Sequence, residues 1–252
     1  MIADIQNASI WKRISALLLD LVVIAILATG FAFLMSVITN YGYYDEKLEG
    51  YYAEYEETYG FKVSITKAEY EELSPEDQQR CQEMFDDLNS NQDVLYVYNM
   101  TINLSLVIIT TSILLAVLIS EFVMPLIFKN GQTIGKKIFA IGVVNTNSVK
   151  IKPVQLFARA ILGKYAIEIM LPIIVLLLII FGRIGWIGSV ILIGLAAFQV
   201  IIVAVTKYHQ AIHDALSYTV VVDMQTQMIF DSDEERLEYI KNNHQMEVSK
   251  EK

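Results

Sequence analysis

Asp20 lies inside the first long apolar run of the chain, seven residues after Arg13. An ionisable side chain within a membrane span costs roughly 2.5–3.5 kcal/mol on insertion scales, so it normally faces a partner or a watery cavity. Glu121, Glu168, His209, His213 and Asp214 lie in or beside later apolar runs. Carboxylates in a low dielectric hold protons more tightly and can exchange them. Combined with His213, these acids could pass a proton or hold a cation such as Na⁺ through oxygen ligands. Arg13 could neutralise Asp20 or Asp214. The spacing puts Arg13 and Asp20 on nearly one helix face but too far apart for close contact, which favours Asp214 as its partner. In the competing reading the same residues are a structural Arg–Asp clamp locking the first span to the fourth.

The elements that must position these groups are membrane spans. The chain has 252 residues, 54% of them hydrophobic, and the apolar residues come in blocks. A span needs about 20 apolar residues to cross a core of about 30 Å. Four runs qualify: Ile14–Ile38, Ile102–Phe128, Tyr165–Phe181 and Ile184–Val205. The last two, divided only by Gly182-Arg183, predict a tight helical hairpin. The first is longer than the ~7–15 residues of a cleavable signal core and reads as a retained anchor. With Arg13 and Lys129 at one interface, Asp20 and Glu121 lie ~10 and ~12 Å deep on oppositely running helices. Glu168, His213 and Asp214 fall toward the same side, while the other halves are almost purely apolar. This predicts a polar pocket open on one side and sealed on the other.

Charge sets the expected orientation. The overall balance of −9 conceals a segment, Thr39–Thr101, with 15 Asp/Glu and 4 Lys/Arg, and another, Lys129–Ala160, with 6 Lys/Arg and no acid. The positive-inside rule places the basic loop, and with it both termini, in the cytoplasm. Trp11 and Trp186 then fall at opposite interfaces. The chain divides into 1–38 (N-terminus and first span), 39–101 (acidic extracytoplasmic segment), 102–128 (second span), 129–164 (basic cytoplasmic segment), 165–205 (helical hairpin) and 206–252 (cytoplasmic tail).

Within 39–101, Leu48, Tyr51, Tyr52, Tyr55 and Tyr59 recur at helical spacing. Thr66-Lys67-Ala68-Glu69 fits a capping box, and Ser74-Pro75 fits an N-cap followed by Pro at the first helical position. Two or three short helices are expected there, with a solvated acidic surface that could also bind a partner protein. In the basic segment, Lys137–Val144 and Val149–Ile151 flank a turn and predict a β-hairpin, to which Thr219–Asp223 could add a strand. Pro153–Gly163 has an apolar face (Val154, Phe157, Ala158, Ile161) and a basic one (Lys152, Arg159 and the adjoining Lys164) and reads as an interfacial helix. Lys136, Lys137, Lys152 and Arg159 are the candidates for lipid-headgroup contact. The acidic tail from Asp231 reads as loose helix or disorder.

Several chemistries find no support. Gly131–Lys137 has three residues between its glycines where a phosphate loop has four, and Lys137 stands where that loop has a hydroxyl. Cys81 is the lone cysteine and gives neither a disulfide framework nor metal spacing. No nucleophile elbow or metalloprotease motif occurs, and the basic residues hug the membrane instead of offering a nucleic-acid face. The expectation is a protein that is no enzyme, holds no metal or cofactor and binds no nucleic acid.

Taken in order, the motifs resemble the RDD family of small polytopic membrane proteins. Arg13 and Asp20 match its Arg and its first Asp. Asn130-Gly131-Gln132-Thr133-Ile134-Gly135-Lys136-Lys137-Ile138 is similar to the Gly-x-Thr-x-Gly-Lys-like element after the second span. His213-Asp214-Ala215-Leu216-Ser217-Tyr218-Thr219-Val220-Val221-Val222 resembles the His-Asp ending, with Asp214 as the second Asp. The long acidic segment departs from the family pattern. The resemblance implies a multi-pass cell-membrane protein, mostly of bacteria, with a role in transport or ion exchange. The fold expected is all-α and integral to the membrane, with four transmembrane helices, a small cytoplasmic β-hairpin element and a helical extracytoplasmic insertion. The function expected is transport, in the form of proton-coupled cation exchange carried by Asp20, Asp214 and Glu121, with Glu168 and His213 in the pocket and Arg13 tuning it. The alternative is a non-transporting adaptor or scaffold. A homo-oligomer is expected, because four spans make a thin pathway for one subunit.

Overall fold

The computed structural model describes residues 4–250, with side chains through 242. Among the described residues, four helices are long and apolar enough to cross a membrane: Ile10–Ile38, Gln92–Phe128, Pro153–Ile180 and Gly185–Val205, called spans one to four. This is an α-helical integral membrane protein carrying a small two-stranded sheet. Its membrane-embedded helices contact lipid.

Spans two and three begin earlier than their apolar runs. Asn91 Oδ1 accepts the Asp93 amide at 3.0 Å, starting span two ten residues before Ile102. Pro153 occupies the first position of span three, where its missing N–H costs nothing. Pro153–Gly163 is therefore the opening of a span and not a separate interfacial helix. Two stretches are π-helical, Ile119–Val123 in span two and Arg159–Met170 in span three. Turns of this kind are rare and often mark functional sites.

The described chain forms two compact units. Residues Thr29–Ser112 form one, and they include the helices Tyr41–Tyr59, Lys67–Glu71 and Pro75–Ser90. The expected capping box is present: Thr66 Oγ1 accepts the Glu69 amide while Glu69 accepts the Thr66 amide. Ser74 caps the helix that begins at Pro75. Cys81, Met84, Leu88, Leu48, Val94 and Val97 are buried in this unit. Tyr59 donates to Asp87 at 3.0 Å.

The other unit comprises the residues up to Ala28 and those from Ile113 onward. Its sheet pairs β1 (Ile141–Asn145) antiparallel with β2 (Thr219–Asp223), Val143 opposite Val221. The expected hairpin arm Val149–Ile151 makes only isolated bridges, Val144 with Lys150 and Val149 with Phe230. Span three starts at Pro153, too soon for a full strand. The N-terminal stretch lies along β2 instead: the Ala8 amide donates to Val221 at 3.1 Å, and Lys12 pairs with Asp223 at 2.7 Å. The tail is helical over Asp233–Lys250.

Each strand follows a five-residue helix, Ile134–Ile138 before β1 and Ile212–Leu216 before β2. The two helix–strand units superpose in sequence at an offset of 78 residues (134 to 212, 141 to 219). Even the left-handed connecting residue recurs, Ala140 at φ 53° and Tyr218 at φ 54°. The fold is thus a pair of matching units, their strands joined edge to edge, each beginning against the buried ends of the spans.

Close approach makes this docking possible. A Cβ on Gly163 would lie 2.5 Å from His213 Cβ and 2.6 Å from its Cα, whereas one on Gly194 would meet nothing within 4 Å. Gly163→Ala is therefore expected to cost about 1–3 kcal/mol by overpacking and to lower the thermal midpoint of the purified protein. Gly194→Ala, which relieves the helix penalty of glycine, should leave it unchanged or raise it. Equal midpoints for the two variants would refute the packing argument.

Candidate functional site

Asp20 is 1% exposed on span one. Its carboxylate accepts from Thr133 Oγ1 at 2.6 Å and from the Gly135 amide at 2.8 Å. Thr133 also caps the first short helix by accepting the Lys136 amide at 3.3 Å. Asp20 therefore serves as a second cap, supplied from another element, for amides that have no partner at a helix start. Gly135 is what allows this: a Cβ there would lie 2.3 Å from the Ala16 carbonyl oxygen and 2.9 Å from Asp20 Oδ1. The Gly-Gln-Thr-Ile-Gly stretch is thus the socket for Asp20.

Glu121, 3% exposed in the π-helical part of span two, pairs with Lys164 of span three and with Lys136 of the first short helix, the latter at 3.4 Å. Burial pushes the Lys136 ammonium down to about 8, outweighing the attraction of Glu121.

Asp214 opens the matching unit. It occupies the position that corresponds to Lys136 in the first, with the opposite charge, and is 1% exposed. Arg159 Nη2 stands 2.9 Å from Oδ1, and Arg13 Nη2 stands 3.6 Å from Oδ2. Arg13 also donates to the His209 carbonyl at 2.6 Å. Thr219 Oγ1 donates to Oδ1 at 3.3 Å. Burial works against the Asp214 anion, but Arg159, His213 and Arg13 overcome it and hold the carboxyl at about 2. Arg13 thus meets Asp214 and not Asp20, as its spacing predicts, and the clamp gains a third member in Arg159.

Glu168 of span three accepts from His213 twice, from the backbone amide at 3.2 Å and from Nδ1 at 2.7 Å. Gln199 Nε2 of span four donates to the same oxygen at 3.2 Å. His213 therefore pairs with an acid from another element, while its sequence neighbour Asp214 is 3.6 Å from Nε2.

A cavity of about 550 Å³ joins these groups. Arg13, Asp20, Glu168, His213 and Asp214 line it, with Lys136, Arg159 and Lys164. Glu121 does not line it and sits behind the lysines. The walls are apolar, from Ile14 and Leu17 of span one and Val200 and Val203 of span four. Of the basic residues expected at headgroups, Lys137 and Lys152 are exposed, whereas Lys136 and Arg159 are buried. They turn inward because Glu121 and Asp214 are buried beside them. Sequence reasoning passed over Thr133, Gly135 and Gln199 as site residues, and took Lys164 for part of a surface face. A polar Gln199 within an apolar span was the visible signal for one of them. For Lys164 the signal was hidden by placing the start of span three too late.

The model of the RDD family matches residues 7–218, and the chain belongs to that family. No curated protein and no solved structure matches the chain.

Two outcomes follow from the clamp. Arg13→Ala and Asp214→Ala should each lower thermal stability, and the double variant should lose less than their sum, with a coupling of about 1–3 kcal/mol. Strict additivity would show that the pair does not interact. Acid should weaken the protein through the same residue. The folded-state pKa of Asp214, about 2, lies below the ordinary aspartate value of 3.8, so its contribution is complete above pH 4 and drains away as pH falls toward 2. Asp214→Asn should flatten the midpoint-against-pH curve in that window. An unchanged slope would remove Asp214 from the account.

Proposed function

We propose that this RDD-family protein is a transport-related membrane protein that works through the cavity at the charged end of its spans, with the Glu168–His213 pair as its proton-responsive element. The observation that carries the reading is the placement of that pair. An imidazole ring can take up or release a proton, and here the His213 ring touches a carboxylate on the wall of a 550 Å³ cavity. A proton taken up by the pair changes the charge of the cavity by one. By the positive-inside rule, the basic segment Lys129–Ala160 orients this end and both termini to the cytoplasm of a bacterial cell. Four spans make a thin pathway, so the transporting form is an oligomer. Catalysis has no part in the proposal.

Proton-coupled cation exchange is one form of this activity. Asp20, Glu121 and Asp214 would then have to release the partners that hold them, whereas the partner of Glu168 is itself a proton-carrying ring, so Glu168 and His213 are the better exchange groups. The engagement of those three acids also favours a second reading, a non-transporting scaffold in which the charges only hold the spans together. Proton and Na⁺/K⁺ fluxes in proteoliposomes separate the two. Transport predicts flux in the wild type that Glu168→Gln abolishes in protein shown to be folded and reconstituted to the same level. No flux in a folded wild type, under imposed pH and cation gradients, would leave the scaffold.

A further inference from the structure

The cavity has buried polar atoms with no hydrogen-bond partner. Arg159 is 3% exposed, yet neither its Nε nor its Nη2 makes a hydrogen bond. Nη2 lies within ion-pair distance of Asp214 Oδ1, but its N–H bonds do not line up with the oxygen. Asp214 Oδ2 and Gln199 Oε1 are buried acceptors without a hydrogen bond. A buried donor or acceptor left unmade costs about 1–3 kcal/mol, so a ligand supplying both kinds of group would recover that loss.

Charge narrows the ligand. Two acids, Glu121 and Asp214, stand among four cations: Arg13, Lys136, Arg159 and Lys164. Asp20 and Glu168 make the formal sum zero, but Thr133 and Gly135 already serve the first, and His213 and Gln199 the second. The guanidinium fork matches phosphate better than any other common anion. The shape narrows it further. Ile14, Leu17 and Val200 line the cavity and are 40%, 45% and 68% exposed, so the polar floor continues into a wall that belongs among acyl chains.

We propose that the cavity binds the headgroup of an anionic glycerophospholipid, its phosphate on Arg159 and a headgroup hydroxyl on Asp214 Oδ2 and Gln199 Oε1, with its acyl chains leaving between spans one and four. The lipid enters as a ligand of the site and not as bulk solvent for the helices. The proposal uses the same cavity as the transport reading but does not depend on transport, because its readout is binding.

The test is lipid retention by the full-length protein, purified in detergent and examined by native mass spectrometry. The probes are phosphatidylglycerol and phosphatidylcholine with identical acyl chains, inorganic phosphate and glycerol phosphate. The expected result is retention of phosphatidylglycerol about tenfold above phosphatidylcholine, since one charge-assisted hydrogen bond is worth about that factor. Arg159→Gln should remove the preference. Arg159 also pairs with Asp214 and its loss can unfold the protein, so Ala204→Trp supplies a second variant. Ala204 lines the cavity, is exposed and carries no charge, and the indole should block the lipid while the thermal midpoint is kept. Equal retention of the two lipids, or a preference that survives Ala204→Trp, would overturn the proposal. So would inorganic phosphate or glycerol phosphate binding as tightly as the lipid, which would assign the site to a soluble phosphate. A protein that retains the lipid but moves no ion refutes transport alone.

Discussion

An ionised side chain cannot be left alone inside an apolar helix bundle, and the charged end of this protein is built around that constraint. Its four acids meet the constraint in different ways. Asp20 is satisfied by a hydroxyl and an amide, Glu121 by two lysines, Asp214 by two arginines and a hydroxyl, and Glu168 by a histidine and an amide side chain. Each solution imposes something on the backbone. Asp20 can reach the Gly135 amide only if residue 135 has no Cβ, and His213 can settle on span three only if residue 163 has none. Arg159 and Lys164 are five residues apart in a π-helical stretch, whose hydrogen bonds run from i to i+5. That winding turns both inward, to different acids. The irregularities of the spans are therefore consequences of charge burial.

The matched helix–strand units give this arrangement an economy of design. Lys136 and Asp214 hold equivalent positions, yet one carries a positive charge to span two and the other a negative charge to spans one and three. Each unit is also capped by an acid from a span, Asp20 at Gly135 and Glu168 at His213. Because β1 and β2 pair along all five residues, movement of one short helix must strain the sheet or carry the other helix with it. Backbone hydrogen bonds outside the spans thus couple the two units.

Much of this was legible in the sequence. Long apolar runs give spans directly, and side-chain spacing with a shared interface favours Asp214 over Asp20 as the partner of Arg13. The capping box at Thr66 and the N-cap at Ser74 announced two helices of the acidic segment. Three features were hidden for physical reasons. Span three begins at Pro153 because its early polar residues face buried acids, and hydropathy scores Arg159 and Lys164 as solvent-seeking whatever they face. The strand partner of β1 lies 78 residues on (141 to 219), and a nearby apolar stretch, Val149–Ile151, offered a local pairing that Pro153 cuts short. The partners of Asp20, a threonine hydroxyl and a glycine amide, carry no charge by which to recognise them.

Arg159 is the residue for which stability alone is a poor explanation. Burying a guanidinium is costly, and well-packed apolar residues often replace buried ion pairs without loss. Asp214 already has Arg13 beside it and Thr219 as a donor. A second arginine adds charge to the pair, yet two of its nitrogens make no hydrogen bond. Those nitrogens belong to a side chain on the cavity wall, beside two acceptors that are also unbonded. A clamp built only to hold helices together would gain by filling that space with methyl groups. One that must also receive a phosphate has a reason to keep its donors unspent.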